Sequence, residues 1–369
     1  MPGHTMHSYF NTSPESPDGC YVLYYGSTDI TGHAGEIRIR ERATGRETVL
    51  ARDVTVEDAH RAACQQWTCG GAQVVFHNVL ENGEWGVVAV DIESGRDRCL
   101  ARGRQLGFGQ PSHHLVPLYG PHWEPGDHRG LELLNVETGA ITQTALTPET
   151  LADAWPEWLA THFGRHPVSV FFPLLSPDLT RVLFKIATPA GGDFRSRSAS
   201  RRRGLFCYDL AREKFLFRHE KWGHPAWHPD SRRIIRAGGL CVDSDTGKTQ
   251  RIAAYPSCHG DHPSFSPDGE CFATDTTCRG EAFKGPEGWW AVLVGNACTG
   301  DIRTIDRFDN SRGARSWRPS HPHPVFSPDG RRLYFNVSNG KWTKVCVAPV
   351  PAELNQSQAP GGMRFNRTA

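Results

Sequence analysis

An all-β chain folded as a seven-bladed β-propeller is what this sequence predicts, and three observations carry the prediction. Thirty-eight Gly and 26 Pro among 369 residues call for many short strands joined by tight turns. A turn of the form Ser-Pro-Asp-Gly, or a near relative, recurs at residues 16–19, 176–179, 228–231, 266–269 and 327–330, each followed by an alternating β-rich run. A second turn, ending in Thr-Gly or Ser-Gly, recurs at 43–45, 93–95, 137–139, 245–247 and 298–300, between the outer strands of a unit. Pro presets φ, Asp accepts from the backbone ahead and Gly takes the left-handed conformation, so each tetrapeptide is a hairpin turn with a mechanism.

In chain order, the first unit opens at 16–19 and runs into residues 21–25. The second and third lack the first turn but keep the second: 68–79 leads to Ser94-Gly95, and 113–123 leads to Thr138-Gly139. Residues 147–166 place Ala152, Trp155, Trp158 and Leu159 at helical spacing and read as an inserted helix. The fourth unit follows at 176–186, and residues 189–203, with five arginines among Gly and Ser, read as a loop overhanging the channel rather than a strand. The fifth, sixth and seventh units open at 228, 266 and 327. Seven units at about 40 to 50 residues each suit four-stranded blades. The last is short by one strand, which the N-terminal residues are expected to supply. The channel-lining strands are expected to begin near Tyr21, Val74, Leu115, Arg181, Arg232, Cys271 and Arg332. Residues 1–369 form one domain on this reading, with insertions near 147–166 and 189–203.

Bulk chemistry narrows the function classes. Lys and Arg number 41 against 40 Asp and Glu, a net charge of +1, so no global field draws the protein to nucleic acid or a membrane, and anion recognition must be local. Eleven Cys, an odd number without paired short spacings except Cys64 and Cys69, argue against a disulfide framework and for a reducing compartment. Neither a signal peptide nor an apolar span is legible, and the chain reads as a cytoplasmic protein, monomeric or weakly oligomeric.

Segments leading into the inner strands converge at one mouth of a propeller channel. Histidine recurs there: His224 in Gly-His-Pro-Ala-Trp, His262 in Asp-His-Pro-Ser-Phe, and His321 with His323 in Ser-His-Pro-His-Pro-Val-Phe. A lone His-Pro pair ordinarily sets local geometry, with its imidazole on a neighbouring carbonyl. Four at repeat-equivalent positions point instead to a metal site, which we assign to His262, His321 and His323; imidazole suits Mn, Zn, Fe and Ni. His321 and His323, two apart in an extended segment, point to the same side of it. His122 and His128 read as surface groups.

Four segments carry a family resemblance: Ser176-Pro-Asp-Leu-Thr-Arg-Val-Leu-Phe-Lys185, the Arg-rich loop 192–204, Lys221-Trp-Gly-His-Pro-Ala-Trp-His-Pro-Asp230 and His321-Pro-His-Pro-Val-Phe-Ser-Pro-Asp-Gly330. Together they resemble the oligogalacturonate lyase family of seven-bladed propellers. The resemblance implies β-elimination on short acidic oligosaccharides, with a Mn-type cation held by three histidines and a glutamine. It implies His262, His321 and His323 as ligands, Lys185 and Arg202 as substrate-handling residues, Arg202 as proton abstractor and His224 beside them. Where the family has its glutamine this chain has Arg318, which in protonated form cannot ligate a cation and suits a carboxylate clamp. Propeller lyases acting on ulvan or rhamnose-glucuronate chains are similar in fold, and by approximate spacing His60, His77 and Tyr119 match their residue set, with Asn11, Gln66 and Trp67 nearby.

The chemistry explains the residue types. Removing the weakly acidic C5 proton of a uronate requires its carboxylate to be neutralised, by a divalent cation (Mn first, with Zn, Ca or Ni the others) and by Lys185 and Arg202. The base is His224 or an Arg whose pKa burial and neighbouring cations depress. The expected partner is an acidic oligosaccharide, and the product a 4,5-unsaturated uronate. Two other classes fit the fold: a non-catalytic glycan- or peptide-binding propeller, and a hydrolase using the same metal to activate water.

Overall fold

The repeated turn accounts for how the chain divides. In the computed structural model, which describes residues 3–253, 255, 261–279, 284–355 and 363, Ser16 Oγ donates to Asp18 Oδ1 at 2.5 Å. That carboxylate oxygen accepts the Cys20 amide, and Ser16 Oγ the Tyr21 amide, both at 2.9 Å. The same bonds recur at Ser176 and Asp178, Ser266 and Asp268, and Ser327 and Asp329. The fourth position requires left-handed backbone, with φ of 74° at Gly19, 76° at Gly269 and 70° at Gly330; Leu179 and Ser231 adopt it at 60° without glycine. Each is compensated. Leu179 packs against a core cluster, and Ser231 Oγ accepts the Asp178 amide at 3.0 Å.

The result is seven antiparallel sheets in a ring, six of four strands and one of three, a seven-bladed β-propeller. The two units without the first turn form complete blades. The innermost strands are short segments that precede the turns, among them Gln66–Thr68, Ala226–Trp227, Ser264–Phe265 and Val325–Phe326. This corrects the expected channel lining: Tyr21–Ser27, Leu115–Tyr119, Arg181–Pro189, Cys271–Thr277 and Arg332–Val337 are second strands, one layer further out. Their longer alternating runs dominate the sequence pattern because they are buried on both faces, whereas the innermost strands of blades 5, 6 and 7 are two residues long.

The inserted helical segment is present, as Pro148–Ala154 and Pro156–Phe163. Thr147 and Thr150 cap each other reciprocally, and Trp158 packs edge-on against Phe206 at 5.2 Å. The Arg-rich loop is shorter than expected. Ser200–Asp209 is a strand whose first residues pair with the end of Arg181–Pro189, Ser200 opposite Pro189 and Arg202 opposite Ala187. The hairpin simply extends beyond the blade, and strand alternation leaves Arg201 and Arg203 exposed while Arg202 turns inward.

The ring closes differently from expectation. His4–Met6 pairs with the end of Tyr21–Ser27 in blade 1 instead of adding a fourth strand to blade 7. Its other edge reaches blade 7 by only one backbone bond, Thr5 N to Thr343 O at 2.9 Å, with Thr5 Oγ1 taking the Val345 amide that a full ladder would use. A buried carboxylate completes the seam. Glu15, beside blade 1, accepts Arg332 Nη2 at 2.7 Å, Arg332 Nε at 2.9 Å and the Tyr334 hydroxyl at 2.5 Å, all from blade 7. Glu15→Ala strands that hydroxyl and two arginines, Arg332 and Arg42, whose Nη1 lies 3.5 Å from the same carboxylate, and is expected to cost about 2–4 kcal/mol, read as a lowered midpoint in denaturant unfolding.

After the latch strand, the chain crosses the central channel. Ser8 Oγ donates to Gln65 O at 2.9 Å and Asn11 Nδ2 to Pro225 O at 3.0 Å, on well-separated blades. Between them Tyr9 and Phe10 are buried, Tyr9 stacked on Phe108 and edge-on to Phe172, and they lie across the channel. All seven blades send the segments leading into their inner strands, and the hairpins between second and third strands, to one face above this floor.

Candidate metal centre

Three such segments bring four imidazoles together on that floor. His262 precedes Ser264–Phe265, His321 and His323 precede Val325–Phe326, and His60 lies in the connection from blade 1 to Gln66–Thr68. One nitrogen from each lies within 4.8 Å of those of the others. Asp275, buried on Cys271–Thr277, organises two of them: it accepts the backbone amides of His262 at 3.1 Å and His323 at 3.0 Å, and His262 Nδ1 at 3.0 Å. That fixes the His262 hydrogen on Nδ1 and leaves Nε2 without a partner. His60 Nδ1 is spent on Pro319 O at 3.3 Å, and its Nε2 is likewise unpartnered. His321 Nδ1 and both nitrogens of His323 have no partner among the described residues.

Burial holds His60, His262 and His323 well below the ordinary histidine pKa and brings His321 to about 3. These are neutral rings brought together in a buried site, where a nitrogen lone pair left without a partner costs free energy that a bound cation would offset. The residues therefore fit a divalent metal, with a carboxylate orienting one ligand from behind. His323 reaches the site by a left-handed turn, φ 50°, so the pair at 321 and 323 does not lie on a regular extended segment; His224 shares the feature at 47°. Both precede proline, where such backbone is disfavoured, and strain of this kind collects at functional sites. Asp275→Asn keeps the size of the side chain but weakens its hold on His262, and is expected to lower Mn affinity about 10- to 100-fold by titration calorimetry.

A cationic patch adjoins the cluster. Lys185 Nζ lies 4.6 Å from the Trp222 ring and 5.5 Å from Phe171, Arg202 lies 5.8 Å from Phe171, and Arg61 5.1 Å from Phe172. Arg61 is neutralised by Glu57 at 2.6 Å, and Arg318 faces Asp58 at 3.6 Å. Asp58 Oδ1 also accepts the His60 amide at 2.9 Å, so it sets His60 and Arg318 together. Lys185 and Arg202 have no carboxylate partner among the described residues. Burial, then the fields of Arg318 and Arg202, pull the Lys185 pKa well down; burial and Arg318 bring Arg202 to about 10. Two basic side chains thus share an aromatic floor, an environment in which a bound anion would favour their charged forms.

His224 stands beside the cluster, its ring 4.5 Å from that of His262 and its Nδ1 2.9 Å from Asp261 O, with burial holding it neutral. The structure disperses the alternative set. His60 joins the imidazole cluster, Tyr119 takes Arg61 Nη1 at 3.5 Å, and His77 turns from blade 2 toward blade 3, where its Nδ1 accepts the Leu106 amide at 3.3 Å. Gln66 and Trp67 bond to the Gly107 and Pro14 carbonyls, holding segments together. His122 is not a surface group: it is fully buried between Ser200 and Glu57. Sequence reading did not group His60 with the other three imidazoles, and did not single out Tyr9, Glu57, Asp58, Arg61 or Asp275. The available signal for His60 was its place, like the others, ahead of an inner strand.

No family model matches the chain, and no curated protein does. Among solved structures it is similar to an oligogalacturonate lyase in complex with manganese, at 15% identity over 96% of this chain and 92% of that one, TM-score 0.63. It is similar to the oligogalacturonate lyase of Vibrio parahaemolyticus at 14% identity over 95% and 92%, TM-score 0.62. A chain of the mitotic checkpoint complex aligns at 12% identity over 95% and 90%, TM-score 0.54. The chain thus has the oligogalacturonate lyase fold, one that also serves unrelated functions.

Proposed function

We propose that this protein is a polysaccharide lyase that cleaves a uronate-containing glycan by β-elimination, releasing a 4,5-unsaturated uronate. One observation carries the reading: four neutral imidazoles, each with a ring nitrogen that has no partner among the described residues, converge beside Lys185 and Arg202, which have no carboxylate partner among them. His60, His262, His321 and His323 would hold a divalent cation, Mn first by the likeness to the manganese complex. Bound there, the cation supplies positive charge that neutralises the substrate carboxylate and acidifies its C5 proton.

Lys185 and Arg202 bind the same carboxylate and hold the charge that spreads onto it as the proton leaves. A bound carboxylate restores the full charge of Lys185, which burial otherwise disfavours. The choice of base follows from magnitudes. With its pKa at about 10, Arg202 is neutral at pH 7 in on the order of one molecule per thousand, a cost of about 4 kcal/mol before any chemistry. His224 is already neutral and is assigned the proton transfer, with Arg202 as the clamp. Arg318, paired to Asp58, adds field without offering a ligand. The deciding experiment is a panel of acidic oligosaccharides followed at the absorbance of the unsaturated uronate, with and without chelator. Chelator-sensitive absorbance on any member supports the reading; none on all, with metal supplied, overturns it.

A further inference from the structure

Beside the cationic patch, three side chains that elimination does not use stand in a hydrogen-bonded line. His122, in the second hairpin of blade 3, places Nδ1 2.7 Å from Ser200 Oγ and Nε2 3.1 Å from Glu57 Oε1. Against the opposing push of burial, Arg61 and His122 hold the Glu57 carboxyl far below its usual range, so it is ionised and only accepts. The imidazole hydrogen therefore sits on Nε2, and Nδ1 offers its lone pair to the serine hydroxyl. Burial keeps His122 neutral. An imidazole in this state can take the proton of a serine, with the carboxylate stabilising the imidazolium that forms.

The strand register puts this serine beside the anion site. Ser200 and Arg202 share one face of Ser200–Asp209, and across the hairpin Ala187 and Lys185 continue that face. The Phe171 ring joins the groups, 4.7 Å from His122, 5.5 Å from Lys185 and 5.8 Å from Arg202.

We propose that Ser200, His122 and Glu57 form a nucleophilic triad that hydrolyses a carboxylic ester on a sugar held at Arg202 and Lys185. Ser200 Oγ bonds to the ester carbonyl carbon as its proton passes to His122 Nδ1. The C–O bond to the leaving alcohol then breaks, and the alcohol departs with that proton. Water, activated by the same nitrogen, repeats the addition on the acyl-serine and releases the acid and free Ser200. Arg202 is the donor placed to meet the oxyanion. The ring nitrogens serve in the opposite order to that of serine proteases, Nδ1 toward the nucleophile.

The test uses p-nitrophenyl acetate and a small fluorophosphonate on the intact protein. One phosphonyl adduct mapping to Ser200 is expected by peptide mass spectrometry, with ester hydrolysis falling at least about 100-fold in Ser200→Ala, which removes only a hydroxyl from a strand. Methyl-esterified and O-acetylated oligouronates distinguish the two sources of the ester, by methanol or acetate release. A folded wild type with no adduct at Ser200, or Ser200→Ala hydrolysing as fast as wild type, overturns the proposal. Neither readout depends on elimination, so the two assignments fail separately.

Discussion

His323→Ala is expected to remove bound metal and, with it, at least about 1000-fold of elimination activity. Neither nitrogen of this ring has a protein partner, and its backbone is held in a strained turn by the amide bond to Asp275. That placement is what the proposed ligand role requires. A cation opposite a developing enolate is worth several kcal/mol, and each 1.36 kcal/mol is a factor of ten in rate. Elemental analysis of the purified variant and a chelator-buffered Mn titration separate loss of metal from loss of fold. His60→Ala discriminates further, because the family resemblance does not include this residue among the ligands. It is expected to weaken Mn binding about 10- to 100-fold; wild-type affinity in that variant would remove His60 from the coordination set.

Lys185→Ala and Arg202→Ala are each expected to lower kcat/KM about 100- to 1000-fold, with most of the loss in kcat, since their charges matter most as the carboxylate takes up electron density. Strand alternation supplies an internal control. Arg201 and Arg203 flank Arg202 but are exposed, Arg203 spending one donor on His162 Nδ1 at 3.0 Å, and their alanine variants are expected to stay within about twofold of wild type. Arg202→Lys is not expected to rescue, because a single ammonium cannot reproduce the planar fork. Equal losses at all three arginines would reduce the effect to a general field.

The repeat was legible because its turn chemistry is local: a serine, an aspartate and a left-handed fourth residue specify their own bonds wherever they occur. The three C-terminal histidines were legible for the same reason, each beside a proline ahead of such a turn. What joins segments far apart in the chain was not. Asp275 sits mid-strand in an ordinary alternating run, and its role exists only because residues 262 and 323 fold onto it. His60 shares no flanking proline with the other cluster histidines, so spacing alone grouped it with His77, which the pleat of its strand sends toward blade 3. The arginines at 201–203 read as a loop because Gly and Ser precede them; the hairpin register opposite 186–188 is a tertiary fact. His122 looked exposed among Gly, Pro and acidic neighbours, and only the approach of Ser200 and Glu57 from other blades buries it.

Tyr9 and Phe10 lie across the channel beneath the imidazoles, and Phe10 faces the recess lined by the inner-strand turns on the other side. If the proposed activity holds, a glycan reaching the imidazoles would therefore enter and leave by the same face among the described residues.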